Sequence, residues 1–538
     1  MHKQIDALVA KRQAELKITP AAVNSDAKFV RRAYLDLTGV IPTVTQARAF
    51  LEDAAADKRQ KLIDDLLDSP DYALHMARVF DVMLTERRIA AGGASRDVPQ
   101  ATWRAYLAES FAENKPWDMI VHELLASDGT EEKLAGALKF YLVRDVAPHQ
   151  LARDVGRLFL GVDLQCAQCH NDPRIDEYLQ ADYFGIYAFL ERIKLHPVTP
   201  RGAQLAETAE SKTTFVSVFT AESGETAPRL PGGPMLADPE LEKGKEYIVK
   251  PGSKERSVPA YSRRLKLAEQ LPRAQTQGFS RNIANRLWAL LLGKGLVHPL
   301  DLHHANNPPS HPELLAALQH WLVEHNYDIK GFLREVALSD TYQRSSAAPT
   351  NAPQEPPDGA FAVAPLRGLS PEQLRWSLLQ ATGRTELHYT RLEAQASKAE
   401  PMPAAAPEPA WKVKAARNEA LERQTASLIA AFAGLPGQAE AGFQPVVDQA
   451  LYLRNSSKFL PLLQADPGTL LARLNSLTDA GPAAEELYLS VLSRKPTADE
   501  AAEVGRLLKA AKTSAERGEA LQALLWGLLL SAEFRLNH

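Results

Sequence analysis

The chain has only two cysteines among its 538 residues, Cys166 and Cys169, and they lie three positions apart. Two cysteines this close together cannot form a framework of disulfides that holds a fold together. The fold must therefore depend on buried apolar surface, for which the hydrophobic content of 45% is ordinary. For a chain of this length we expect about three domains of usual size.

Long apolar runs and an excess of basic charge are also missing. No stretch of about 18 uninterrupted apolar residues occurs, so we expect no transmembrane segment. The net charge of -4 provides no basic face, so we expect no nucleic-acid partner. The first residues lack the apolar core of a signal peptide, which settles little, because a chain from which an export signal has been removed would look the same.

Familiar catalytic motifs are missing as well. The sequence contains no Gly-x-Ser-x-Gly motif, no phosphate-binding glycine loop and no dinucleotide-binding fingerprint. Five aspartates of the first hundred residues are spread over a helical pattern, which indicates solvated helix faces and not a paired general acid and base. They are Asp36, Asp64, Asp65, Asp71 and Asp81.

Apolar residues at three- and four-residue spacing predict a mainly α fold. Amphipathic helices are indicated from residue 5 to about 195, with Thr43 as the N-cap of one helix after a turn at Gly39. Helical periodicity returns at about residue 261, where Ser310 is the predicted N-cap of a helix with Pro312 in its first turn.

The segment between the two helical parts has a different pattern. Residues 213–219 alternate and are rich in β-branched side chains, and Pro231 to Pro234 form a turn sequence, which predicts a small β-containing insert. We therefore divide the chain into a helical domain at 1–196, an insert or linker at 197–260 and a helical domain at 261–538. Within the last, alanine, proline and glutamate at about 396–412 predict a loop.

The two cysteines belong to a Cys-x-x-Cys-His motif that ends at His170. Thiols at this spacing can form thioethers with the two vinyl groups of one haem, while the adjacent imidazole binds the iron. The motif predicts one covalent haem c, attached through Cys166 and Cys169, with His170 as an axial ligand. Apolar residues at helical spacing on both sides are compatible with a haem pocket or with ordinary core.

Three other interpretations of the motif remain open. A structural zinc site would need a second pair of ligands, which the usual short spacings do not supply here. A thiol–disulfide exchange motif is typical of a thioredoxin-like βαβ context, whereas this segment lies among helices. The pentapeptide can also be an inert coincidence, although the confinement of all cysteines to it argues against chance.

The ligand opposite His170 is not marked by any motif. A methionine or a second histidine would favour electron transfer, and an open position would favour oxygen or peroxide chemistry. We favour His311 as the distal ligand because the Pro-rich segment around it fixes its backbone at a helix start, although capping of its own helix is the alternative role. The other candidates are His75, Met76, Met83, His122, His149, His196, His303 and His304.

Two sequence segments resemble a known family. FVRRAYLDLTGVIPT at 29–43 and FLGVDLQCAQCH at 159–170 are similar to the two signatures of the planctomycete cytochrome c type 2 domain. The later half resembles its usual companion, the planctomycete-specific domain, at NRLW (285–288), NPPSHPELL (307–315), LSPEQL (369–374), SRKPT (493–497) and SAEF (531–534). Nearly the whole chain is covered.

The resemblance implies an exported, haem-binding protein with a cytochrome-like first half, and it implies no biochemical activity. Members of the family often continue after the haem motif with Asp-His-Pro-Phe, whereas this chain has Asn171, Asp172, Pro173 and Arg174. A histidine near the iron is therefore missing at that position, and any role it has in relatives is altered here.

These observations support three hypotheses of function. The first is a periplasmic c-type haem protein that passes electrons to a redox partner protein in an oxidative or catabolic pathway. The second is a haem-dependent or cleft-based enzyme acting on a small substrate such as a carbohydrate, since the second half is larger than electron transfer needs. The third is a structural or interaction protein of the cell envelope with a haem-free motif. A deep cleft lined by polar side chains would favour the second.

Overall fold

The computed structural model describes residues 1–89, 98–199, 202–252, 255–273, 276–349, 357, 359–397, 407–437, 447–455, 457 and 459–537. These residues form 25 α-helices and four small two-stranded sheets, which confirms the mainly α fold. No helix in these ranges is both long enough and apolar enough to cross a membrane.

The first part of the chain is helical up to residue 190. Its described residues form α1 (His2–Glu15), α2 (Asp26–Thr38), α3 (Val44–Glu52), α4 (Lys58–Leu67), α5 (Pro70–Thr85), α6 (Gln100–Ala112), α7 (Trp117–Ala126), α8 (Lys139–Leu142), α9 (Pro148–Val155) and α10 (Gln180–Leu190). A π-helical turn at Gly156–Leu160 and 3₁₀ turns at Glu132–Leu134 and Cys166–Gln168 complete it.

The predicted β-containing insert is present as three antiparallel strand pairs. They are β1 (Ile193–Thr199) with β2 (Gly202–Glu207), β3 (Thr213–Val216) with β4 (Ser223–Thr226), and β5 (Tyr247–Val249) with β6 (Val258–Pro259). In the second pair Thr213 lies opposite Thr226 and Val216 opposite Ser223. This hairpin is the part of the insert that reaches the Cys-x-x-Cys-His motif.

The last part of the chain is again helical. Its elements are α11 (Arg263–Gln270), α12 (Gln277–Leu292), α13 (Pro312–Glu324), α14 (Ile329–Ala337), α15 (Asp340–Gln343), β7 (Arg367–Gly368), α16 (Pro371–Ala381), α17 (Arg384–Ala396), α18 (Ala410–Gln424), α19 (Ala426–Phe432), α20 (Val447–Asn455), a 3₁₀ turn (Leu460–Leu463), α21 (Leu470–Ser476), α22 (Ala480–Leu492), α23 (Ala498–Ala510), α24 (Ser514–Leu530), α25 (Ala532–Arg535) and β8 (Leu536–Asn537). Strands β7 and β8 pair antiparallel. The predicted loop at 396–412 lies partly outside the described residues, and α18 already begins within it.

Local capping explains where several helices begin. Thr43 caps α3 as predicted, and its hydroxyl accepts from the backbone N–H of Gln46 in a capping box. The prediction for α13 is wrong by one residue, because Pro312 occupies the first helical position and His311 is therefore the N-cap instead of Ser310.

The hydrophobic core of the first part continues into the last part. Trp117 of α7 stacks on Phe279 of α12 with ring centroids 6.5 Å apart, and Phe279 also contacts Tyr327. Helices α11 to α14 contribute to this first core, whereas a second core is built mainly from residues 369–534 and also includes Leu35 and Ile41. The helices that follow the insert are thus packed into the first part.

The prediction of solvated aspartates is wrong for Asp36 and Asp81, which are 4% and 5% exposed. Asp36 accepts hydrogen bonds from Tyr342 and Asn537 and forms an ion pair with Arg367. Burial of a carboxylate is tolerated where such donors surround it. Both side chains therefore hold the fold together instead of facing water.

Candidate functional site

The Cys-x-x-Cys-His motif lies at the surface on a short 3₁₀ turn. Cys166 and Cys169 are free and exposed, whereas Ala167 between them is fully buried in the first core. The backbone N–H groups of Cys169 and His170 both donate to the carbonyl oxygen of Cys166, at 3.1 and 3.3 Å. The burial of Ala167 thus holds the turn in place, and both thiols remain accessible.

The imidazole of His170 is oriented by the residue that follows it. Nδ1 lies 2.6 Å from the carbonyl oxygen of Asn171, which can only accept, so Nδ1 carries the hydrogen. In the neutral ring this leaves the lone pair on Nε2, the arrangement common among metal-binding histidines. Asp172 accepts from the N–H groups of Arg174 and Ile175, so the segment that departs from the family pattern forms a turn beneath His170.

The β3–β4 hairpin covers one side of the motif. The N–H of Val218 donates to the carbonyl oxygen of Cys169, and the Gln180 amide donates to the carbonyl oxygen of Val216. The Phe219 ring lies 4.2 Å from the His170 ring between centroids, yet it is 74% exposed. A large apolar side chain is therefore held at the surface directly beside the motif.

The surroundings of Cys166 favour its neutral thiol. Burial raises the pKa of Cys166, and the neighbouring Asp172 carboxylate raises it further through its charge and a hydrogen bond. Thiol–disulfide exchange catalysts instead lower the pKa of the attacking cysteine. No group of three His, Cys, Asp or Glu side chains within the described ranges is arranged to hold a metal ion.

The apolar residues that flank the motif divide into two groups. Phe159 contacts Phe140 and Trp117 and belongs to the core. Tyr183 lies on α10, the helix that follows the motif, and burial raises its pKa above the usual range. The sequence pattern did not distinguish these groups, and it missed Phe219.

The structure separates the candidate distal ligands. His311, the favoured one, lies against Phe361 at 5.5 Å between ring centroids and beside the Ser310 hydroxyl. Within the described residues its contacts share no side chain with those of His170. Its pKa is lowered to about 4, mainly by burial, and the charge of Arg12 lowers it further. The surroundings of His311 are those of a buried histidine of the fold.

Another candidate, His149, lies against α10, the helix that follows the motif. Its Nδ1 is 2.9 Å from the Tyr183 hydroxyl and its ring stacks on Tyr187 at 4.5 Å. Tyr183 and Tyr187 both belong to α10, so His149 packs on that helix. It is also exposed.

Two further candidates contact the flanking loops. The His303 N–H donates to the carbonyl oxygen of Gly161, and His304 contacts the Tyr178 ring at 5.9 Å. The remaining candidates are distributed over other elements: His75 and Met76 are buried in α5, Met83 follows in the same helix, His122 lies in α7 and His196 in β1.

A second candidate site lies between the two helical parts. A cleft with a volume of about 770 Å³ is lined by α2 to α5 on one side and by α16 to α18, α21 and α22 on the other. Its volume falls within the range of about 300–1,000 Å³ that small-molecule sites occupy. We name it the inter-part cleft. Side chains at its wall include Tyr34, Asp65, Asp71, Trp376, Tyr389 and Ser490.

Three polar side chains of the inter-part cleft lack hydrogen-bond partners. They are the indole N–H of Trp376 and the hydroxyls of Thr385 and Ser490. Trp376 and Ser490 are only 6% and 5% exposed. An unsatisfied buried polar group costs about 1–3 kcal/mol, so such groups mark places where a ligand or water can bind.

Comparison with known families agrees with the order of the two helical parts. Residues 4–195 match the family described as PSCyt2, protein of unknown function (DUF1549), and residues 263–508 match PSD1, protein of unknown function (DUF1553). The pair of domains expected from the sequence motifs is thereby confirmed. No curated protein and no solved structure matches the chain significantly.

Proposed function

This chain carries a PSCyt2 domain followed by a PSD1 domain, and we propose that it holds one covalent haem c at Cys166, Cys169 and His170 and passes electrons to a partner protein in the periplasm. The observation that carries the proposal is the orientation of His170: its Nδ1 bonds the carbonyl oxygen of Asn171, and Nε2 is left to bind iron. Both thiols are free, exposed and adjacent to it.

The chain's own residues would perform three tasks. Cys166 and Cys169 would hold the group covalently, and the buried Ala167 would keep the turn rigid. The Phe219 ring would shield the haem from water on the side of the hairpin. When bound, haem supplies a one-electron redox centre whose potential depends on the second axial ligand and on solvent exposure.

The position of the motif supports electron transfer over catalysis on a small molecule at the haem. Both cysteines are at the surface, and the neighbouring Phe219 and Val218 are 74% and 66% exposed. An exposed apolar surface around a redox centre suits contact with a protein partner. His149, in preference to His311, would be the second side chain that holds the group, because it is exposed and packs on α10, the helix that follows the motif.

The proposal is tested by producing the full chain in a periplasm that contains a cytochrome c maturation system. We expect a haem-staining band that survives denaturing electrophoresis and a pyridine haemochrome spectrum with one haem per chain. Replacement of both cysteines by serine should abolish the band, and His170→Ala should abolish the native haem spectrum. His320→Ala, which changes an exposed imidazole on α13, is the matched control and should alter neither. Wild-type protein without covalent haem would refute the proposal and leave the interaction-protein hypothesis.

The inter-part cleft favours a second function, binding of a small polar substrate. A cleft lined by side chains from both domains is the feature that distinguishes this hypothesis from a simple carrier. The two functions are compatible, because the motif and the cleft involve different residues.

A further inference from the structure

We propose that the inter-part cleft is a binding site for a neutral, polyhydroxylated ligand, namely a monosaccharide or a short oligosaccharide. The proposal deepens the second function suggested above and does not depend on haem attachment. The proposal rests on three observations. Some hydrogen-bonding groups of the cleft wall have no partner, the cations of the wall are paired with carboxylates, and arginine side chains lie on its aromatic rings.

The unsatisfied groups belong to side chains of the cleft wall, and their polar atoms are covered in the unliganded protein, so a ligand would reach them after a side-chain rotation. The indole N–H of Trp376 on α16 and the hydroxyl of Ser490 on α22 are both more than nine-tenths buried and without a partner, and both residues line the cleft. An indole N–H can only donate, whereas a hydroxyl can donate and accept. A ligand with several hydroxyl groups offers both kinds of partner at short spacing.

The charges of the wall neutralise one another. Lys414 pairs with Asp71 at 2.5 Å, Arg417 with Glu393 at 2.7 Å, and Arg78 with Glu422 at 3.1 Å. A phosphate or carboxylate ligand would need cations that are not already paired. The wall therefore disfavours an anionic ligand.

One carboxylate of the wall remains available. Among the charged side chains described around the cleft, Asp65 is the one without an ion pair, and it is exposed at the rim. Its charge, like that of Asp71, adds to the effect of burial in raising the pKa of Tyr34 to about 12. Asp65 is thus a free acceptor for ligand hydroxyls beside a phenol that stays protonated at neutral pH.

The aromatic rings of the wall argue against a flat ligand such as a nucleobase. The Arg417 guanidinium lies 4.1 Å from the Tyr389 ring centroid, and Arg78 and Arg375 lie 5.0 and 5.1 Å from the Trp376 ring. These stacking positions are occupied by cations of the protein itself. The ring faces that the arginines occupy are closed to a nucleobase and to the apolar face of a sugar alike, so recognition in the cleft must rely on hydrogen bonds.

The test measures binding to the full chain by saturation-transfer NMR and calorimetry. The probes are D-glucose, D-galactose, D-mannose, L-fucose, D-xylose, maltose and lactose, with inorganic phosphate and AMP as charged or planar comparators. We expect at least one neutral sugar to bind and neither comparator to compete with it. Binding should be the same in the Cys166→Ser/Cys169→Ser variant, so that failure of haem attachment and failure of this proposal are distinguishable.

Two single substitutions locate the binding. Ser490→Ala and Trp376→Phe each remove one unsatisfied group without removing an existing hydrogen bond. Ser490→Ala should cost the unliganded protein little thermal stability, whereas Trp376→Phe also removes packing beside Arg78 and Arg375 and should lower the melting temperature. Each should weaken sugar binding about three- to tenfold, the effect of one hydrogen bond. Ser377→Ala is the matched control, because that hydroxyl is also buried and unpartnered on α16 but does not line the cleft. The proposal is overturned if none of the sugars binds, if phosphate or AMP binds in their place, or if both cleft variants bind as the control does.

Discussion

Replacement of Asp36 by alanine tests how the two helical parts are joined. The Asp36 carboxylate lies in α2 with a side-chain exposure of 2%, and it accepts from Arg367 at 2.6 Å, from Asn537 at 2.7 Å and from Tyr342 at 2.9 Å. These donors come from β7, β8 and α15. One side chain of the first part therefore holds three elements of the last part.

The expected cost follows from these contacts. Removal of one partner of a buried ion pair destabilises a protein by about 3–5 kcal/mol, because the other charge is left without compensation. Arg367 is 24% exposed and also donates to the carbonyl oxygen of Leu290, so part of its charge can be hydrated. The two neutral donors lose their acceptor as well, and these losses are not additive. We expect a total loss of about 3–5 kcal/mol for Asp36→Ala and a smaller loss for Asp36→Asn, which keeps an acceptor.

Hydrogen–deuterium exchange reports this loss where it occurs. The N–H of Leu369 donates to the carbonyl oxygen of Arg535 next to the β7–β8 pair, so the amides of this region report on the contact. Because of the lost stability, amides of 367–369 and 535–537 should exchange at least about 100-fold faster in Asp36→Ala than in the wild type. Asp57→Ala is the control: this carboxylate is 58% exposed, pairs only with Lys61 on the surface, and should change stability by about 0.5 kcal/mol or less. A loss below about 1 kcal/mol with unchanged exchange in Asp36→Ala would refute the reasoning.

Two further predictions concern stability. Burial lowers the pKa of His75 and His303 to about 3 and that of His311 to about 4. In the unfolded chain the pKa of histidine is about 6.5, so below about pH 6.5 the unfolded chain binds more protons than the folded one. The denaturation midpoint should therefore be lower at pH 5 than at pH 7.5, and equal midpoints at the two pH values would contradict this. Gly161 has φ +74° and its added Cβ would lie 2.9 Å from the His303 ring, so Gly161→Ala should lower the melting temperature. Gly527→Ala, in an open position of α24, should raise it, and a shift of the same sign in both would contradict the argument.

Helices and the insert were predictable because their signals are local. The capping box at Thr43 needs only residues three apart, and alternation over 213–219 marks a strand whatever it packs against. The error at Ser310 has a local reason too, since a proline at the first helical position makes the residue directly before it the N-cap.

The burial of Asp36 was not predictable from its position on a helix. Its partner Asn537 is 501 positions away, and no residue near Asp36 in the sequence indicates this contact. The candidate site likewise combines features that depend on local sequence with features that depend on long-range contacts. The Cys-x-x-Cys-His motif is a local pattern, whereas the contact of Phe219 with His170 depends on how the hairpin folds back. The inter-part cleft requires helices more than 300 positions apart in the chain, such as α2 and α16.

The contacts around the motif involve both helical parts of the chain. The segment that leads into the motif is fixed by residues beyond the insert: Asn282 donates to the carbonyl oxygen of Leu158 at 2.7 Å, and His303 donates to that of Gly161 at 3.0 Å. Asp163 in turn donates its N–H to the carbonyl oxygen of Asp301 at 2.9 Å. A fragment that ends at residue 196 would lose these bonds and expose the Trp117 side of the first core. The geometry of the proposed haem site is therefore a property of both domains, and the motif alone does not determine it.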